Sequence, residues 1–109
     1  MNDKIIEKYI SNIENYWIKI KEGNSKAANT IARSNKKIIT KWIENGVIVE
    51  VLTPLLNHSS SAVRLASAAY LINTDLKDQA VSVLRHLIEN DPGFISPSAA
   101  GVLRINNIK

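Results

Sequence analysis

His58 and His86 are the two imidazoles of this chain, and a metal would have to start from them. Neither has a second histidine four residues on, and the chain has no cysteine. A site built on either would need carboxylates from distant segments, so no metal centre is expected. Asp75 and Asp78 lie about one helical turn apart, a spacing that could pair two carboxylates for acid–base work. The same positions would open a helix, where the dipole favours negative charge, and that structural reading outweighs the catalytic one. Ser59, Ser60, Ser61, Ser67, Ser96 and Ser98 include no Gly-x-Ser-x-Gly elbow, so capping and turn formation account for them. Four scattered glycines supply no phosphate-binding loop. The expectation is a chain that is not an enzyme, with no cofactor, no metal and no small-molecule substrate.

Binding chemistry is better represented. Residues 1–43 carry nine Lys or Arg against four acids, a local charge of +5. Residues 44–109 carry five basic and six acidic groups, a local −1. Arg33, Lys36, Lys37 and Lys41 fall on one helix at spacings that put several on a common face, as a phosphate-gripping patch would require. Tyr16, Trp17 and Trp42 do not interleave with them in a stacking pattern, and a solvated outer face is the usual place for such charges. Nucleic-acid binding is therefore the weaker reading. Arg64 follows a valine at the start of a small-residue segment. Its planar fork suits bracing a neighbouring loop, or gripping a protein partner. Tyr70 sits among alanines, and its hydroxyl must reach water or an acceptor.

Composition narrows the setting. The absence of cysteine suits a reducing compartment. No window reaches the ~18–20 apolar residues of a membrane span, and "MNDKIIEKYI" does not read as a secretion signal. A cytoplasmic protein of one domain, residues 1–109, is the expectation.

The elements that must position these groups are helical. In 3–22, Ile6, Tyr9, Ile10, Ile13, Trp17 and Ile20 recur every three or four residues, and Gly23 stops the helix. Asn24 or Ser25 caps a second helix, from about Lys26 to Asn45, with a stripe of Ala28, Ile31, Ala32, Ile38, Ile39, Trp42 and Ile43. Gly46 ends it. In 47–57 the period-two Val47, Val49 and Val51 resemble a strand, but Leu52, Leu55 and Leu56 turn to helical spacing; a short helix bent at Pro54 is expected. Ser59 to Ser61 offer caps for a helix ending near Ile72. Thr74 or Asp75 caps the next, which "DPG" at 91–93 breaks. Ser96-Pro97, a cap followed by a proline, opens the last helix.

A shift of 32 residues lays "VEVLTPLL" (49–56) over "VSVLRHLI" (81–88), and without a gap sets Ala68 on Ala100 and Leu71 on Leu103. One register held through two helices and their loop points to stacked helical hairpins. Ala66, Ala68 and Ala69 then let helix axes approach closely, while larger side chains on the neighbours fill the volume.

The segments "KAANTIARSNKKIITKWIENG", "LTPLLNHSSSAVRLASAAYL", "AVSVLRHL" and "SAAGVL" resemble a bacterial family of small HEAT-like proteins of unknown function. The resemblance covers roughly residues 15–105. It implies an all-α chain of about six helices: a HEAT-like right-handed superhelix of three antiparallel hairpins, 3–45, 47–72 and 75–106, with second helices lining the concave side. Some members look like immunity proteins encoded beside bacterial toxins. That context implies a cognate toxin domain as partner, in a heterodimer, with a nuclease-like activity among the possible ones. Lys37, Lys41, Arg64, Tyr70, Glu89, Asp91 and Arg104 are the candidate partner contacts. The alternatives are a general HEAT-like scaffold without a toxin, or a basic nucleic-acid-binding module.

Overall fold

The computed structural model describes residues 3–91 and 93–108. Met1, Asn2, Pro92 and Lys109 lie outside the described residues, so the proline of the expected break at 91–93 is not among them. Six α-helices form among the described residues, and no strand: α1 (Asp3–Lys21), α2 (Ser25–Glu44), α3 (Ile48–Leu52), α4 (Ser61–Leu71), α5 (Lys77–Asn90) and α6 (Ile95–Ile105), with a 3-10 turn at Thr53–Asn57. The all-α expectation and the helix count both hold. Contacts group the chain into two compact units, residues 1–51 and 52–109.

In 1–51, α1 and α2 form an antiparallel hairpin. Gly23 ends α1 at φ +76°, and the Asn24 N–H reaches back to the Lys19 carbonyl at 2.9 Å. Gly46 ends α2 the same way, at φ +70°, with Val47 N–H to Trp42 O at 3.0 Å. Both are left-handed positions that glycine enters without penalty. Asn24 caps α2, its side-chain oxygen accepting from Ala27 N–H at 3.1 Å. Tyr9 and Ile13 of α1 are buried, as are Ala28, Asn35, Ile39 and Trp42 of α2. Tyr9 and Trp42 meet edge to face with ring centroids 5.3 Å apart.

The α2 stripe departs from expectation at three positions. Ile43 is 58% exposed and Ala32 is exposed, while Asn35 is buried. The buried set 28, 35, 39, 42 recurs at helical spacing, and residue 43 is turned about 100° from Trp42. Asn35 stands in the face because its polar atoms are met: Nδ2 donates to Tyr9 O at 3.0 Å, and Oδ1 accepts from Asn12 Nδ2 at 2.9 Å. Asn12 Nδ2 also lies 3.4 Å from Ser34 Oγ.

The segment 48–57 is helical in two pieces. Pro54 cannot donate to a carbonyl four residues back, so the α-helix ends at Leu52 and a 3-10 turn with proline in its opening positions follows.

In 52–109, α4 packs against the 3-10 turn, α5 and α6, and α5 packs against α6. Val63, Leu65, Ser67, Ala68 and Leu71 of α4 are all buried, more than a single stripe. Covered by three neighbours, α4 has room only for small side chains where they approach, which accounts for the buried Ala68; Ala66 and Ala69, expected to serve the same contact, are half-exposed. The 32-residue register shows in burial in part: Leu52 and Leu84 are fully buried, as is Leu71, with Leu103 nearly so, whereas Ala68 is fully buried and Ala100 only half-buried. Ser67 and Ala99, also 32 residues apart, are both fully buried.

Two starts differ from expectation. α5 begins at Lys77 without a side-chain cap. Thr74 instead closes the turn before it, donating to Leu71 O at 2.6 Å and accepting from Leu76 N–H at 3.1 Å. α6 begins at Ile95, ahead of Ser96, whose hydroxyl donates to Ile88 O at 2.9 Å and ties α6 to α5 rather than capping its own helix.

Candidate functional site

The loop before α4 sets the first cluster. Ser60 caps α4, its Oγ accepting from Val63 N–H at 3.4 Å, while its own N–H donates to His58 Nδ1 at 3.0 Å. His58 is thus a turn residue, as its place near a helix end suggested. Arg64, one turn into α4, donates Nη1 to His58 O at 2.9 Å and Nη2 to Ser61 Oγ at 3.2 Å. The Ser61 hydroxyl in turn lies 2.8 Å from both carboxylate oxygens of Asp91, and Arg64 Nη2 is 3.7 Å from Asp91 Oδ2. Asp91 closes the C-terminal end of α5, where the helix dipole disfavours an anion. The first turn of α4 and the guanidinium offset that.

Arg64 and Asp91, both candidate contacts, are therefore brought together by an internal brace between the loop before α4 and the end of α5. Their side chains are 23% and 22% exposed. Bracing by Arg64 was one of the two roles its sequence position allowed.

Three open depressions in 52–109 follow the polar face of α5, with volumes of about 750, 350 and 420 Å³. Ser82 lines all three. Asp78 and Glu89 border the largest, while His86 borders it and the second, which Arg64 also reaches. Mixed charge on a shallow surface suits a polar rim of a protein contact. No group of three or more His, Asp or Glu that could hold a metal occurs among the described residues. Asp75 and Asp78 do not pair on one helix face, since Asp75 precedes α5.

In 1–51, a groove of about 300 Å³ is lined by Ile5 and Lys8 of α1, by Lys37, Ile38, Lys41 and Trp42 of α2, and by Asn45. Ile5 is 41% exposed. Trp42 is only 5% exposed, so it floors the groove without offering a ring face. Lys37 and Lys41 are thus brought together, on the same side as an apolar slot that neither helix's pattern shows by itself. Lys8 and Ile5 escaped notice because their spacing on α1 resembles any helix edge; only the hairpin pairing sets them beside the end of α2.

The remaining candidates stand apart. Tyr70 is 40% exposed, and partial burial pushes its phenol above its ordinary value. Arg104, in the last turn of α6, is exposed, where a cation is favoured by the helix dipole. No helix among the described residues is long and apolar enough to cross a membrane. Comparison with known proteins finds no matching family model, no matching curated protein and no matching solved structure.

Proposed function

We propose that this chain acts by binding another protein, and that it is an immunity protein which neutralises a cognate toxin domain in the cytoplasm of the cell that makes it. The observation that carries the binding half is the exposure of large apolar side chains in so short a chain: Ile5, Ile18, Ile43 and Val49 in 1–51, and Tyr70, Phe94 and Ile105 in 52–109. Burial of such groups against a partner removes apolar area from water. Support for the toxin half is the resemblance of the Ala-rich hairpin segments to small HEAT-like proteins. On that reading the hairpins stack in a HEAT-like superhelix and act by occlusion, without catalysis.

Neutralising a toxin demands tight, exclusive binding, about −12 kcal/mol for a nanomolar complex. A packed helical surface loses little ordering entropy on docking, which leaves more of the contact energy as affinity. Contacts come from groups with free bonding capacity, Lys37 and Lys41 in 1–51 and Tyr70, Glu89 and Arg104 in 52–109, while Arg64 and Asp91 brace the loop before α4 against the end of α5. The test is co-expression with the product of the adjacent gene. Immunity requires that product to arrest growth alone, to be harmless beside this chain, and to co-purify with it. A harmless neighbour overturns the toxin half.

A further inference from the structure

The geometry points to the α1–α2 groove as the docking slot for an acidic peptide segment of a protein partner that carries one aliphatic or aromatic side chain. The inference rests on the broader half of the reading above, that the chain binds protein, and does not require the partner to be a toxin.

Three observations converge on it. Lys8, Lys37 and Lys41 rim the groove, no acidic residue lines it, and no ion pair engages these three lysines among the described residues. Lys37 and Lys41 are one turn apart on α2, a like-charge spacing that destabilises a helix by itself. The dipole accounts for Lys41 in the last turn of α2, but not for Lys37 or for Lys8 on α1. A carboxylate-bearing ligand would relieve that repulsion.

The second observation is the floor. Ile5, Ile38 and Trp42 make it apolar, and Ile5 remains well exposed at its lip. The third is size. At about 300 Å³ the groove stands at the small end of the ~300–1,000 Å³ range of drug-sized pockets, which suits a single anchoring side chain on a peptide. Phosphate-backbone binding is the less apt chemistry for this slot. Trp42 is buried edge-on against Tyr9, and Trp17 meets Tyr16 at 88°, so no clear platform for a base accompanies the lysines.

The probe is a fluorescently labelled Asp/Glu peptide with one central leucine, titrated against the full-length chain by anisotropy. Two controls accompany it: the same peptide with serine for leucine, and a labelled DNA duplex. Loss of affinity of about tenfold or more is expected for the serine peptide, and likewise for Lys37→Glu with Lys41→Glu, with added salt weakening the complex. Ile5→Ser, at an exposed position, is expected to weaken the leucine peptide but not the serine peptide. Circular dichroism of each variant establishes that the helices persist. Equal binding of the two peptides, undiminished binding by the double charge reversal, or preference for the duplex overturns the proposal. Any of these outcomes beside a toxic neighbour that this chain still binds and neutralises would overturn the groove while leaving immunity standing. A harmless neighbour, with peptide binding intact in the groove, would remove immunity and leave the groove.

Discussion

Arg64 and Asp91 stand 3.7 Å apart, nitrogen to oxygen, with the Ser61 hydroxyl joined to both. The ion pair itself is long and partly solvated, a geometry in which such pairs contribute about 0–1 kcal/mol. The shorter bonds matter more: Arg64 to His58 O at 2.9 Å and Ser61 to Asp91 at 2.8 Å. Each acts in a chain in which the serine accepts from the arginine and donates to the carboxylate, so the members polarise one another.

Arg64→Ala is therefore expected to cost about 1–2 kcal/mol, from the loss of two charge-assisted hydrogen bonds at a partly exposed site. Arg64→Lys should recover only part of it, because an ammonium lacks the fork that meets two acceptors at once. Urea unfolding of both variants and of Asp91→Ala, combined as a double-mutant cycle, measures the coupling. Additive losses for Arg64→Ala and Asp91→Ala would show that the serine-centred chain carries no joint energy.

A second relationship lies in the α1–α2 hairpin. Asn35 is held by Tyr9 O and by Asn12, inside an otherwise apolar face. Asn35→Ala should cost about 1–3 kcal/mol, since it strips Asn12 of its closer partner in a partly buried place. The paired change Asn12→Leu with Asn35→Leu replaces the polar contact with apolar packing. Equal or higher stability is expected for it, with less strict register between the helices, the role best attested for a buried asparagine. Denaturant midpoints and amide exchange along α1 and α2 read the two effects separately.

The helices were legible because their apolar periods, caps and stops are local. Asn24, Ser60, Gly23 and Gly46 do what their residue types imply, since a cap or a left-handed stop needs no distant partner. Thr74 and Ser96 have the residue types of caps, and the same types also serve turns and interhelix bonds. Only the neighbouring backbone, Leu71 O for one and Ile88 O for the other, decides between these uses. Asn35 was hidden for a related reason: a polar residue reads as surface until its partners are known. Among the candidate contacts, Lys37 with Lys41 could be paired from one helix, whereas Arg64 with Asp91 could not, because they lie 27 positions apart, one within α4 and the other at the end of α5.

The small residues of α4 supply a third prediction. Ala68 and Leu71 are both fully buried, in a helix covered by the 3-10 turn, α5 and α6. Ala68→Leu is expected to overpack by about 1–3 kcal/mol, and Leu71→Ala to leave a cavity costing about 2–5 kcal/mol. Thermal melts check both. Wild-type stability for Ala68→Leu would mean that α4 has slack at that crossing, and the explanation of its alanines by close approach would fail.

Tyr70 carries the last prediction, a dependence on alkaline pH. Burial raises its phenol above the ordinary 10.0. In the unfolded chain the phenol loses its proton near the ordinary value, while in the folded chain it is still protonated there. The folded state then binds more protons, so stability falls as pH climbs through the interval above 10. Below it the phenol is neutral in both states and contributes no slope. The informative quantity is the difference between wild type and Tyr70→Phe, because every other ionisable group is common to both chains. Melts taken between neutral pH and about 11 should show a shallower alkaline decline for Tyr70→Phe than for wild type. Parallel curves would show that the Tyr70 hydroxyl is solvated well enough to ionise freely, and that its ring alone is held by the neighbouring side chains.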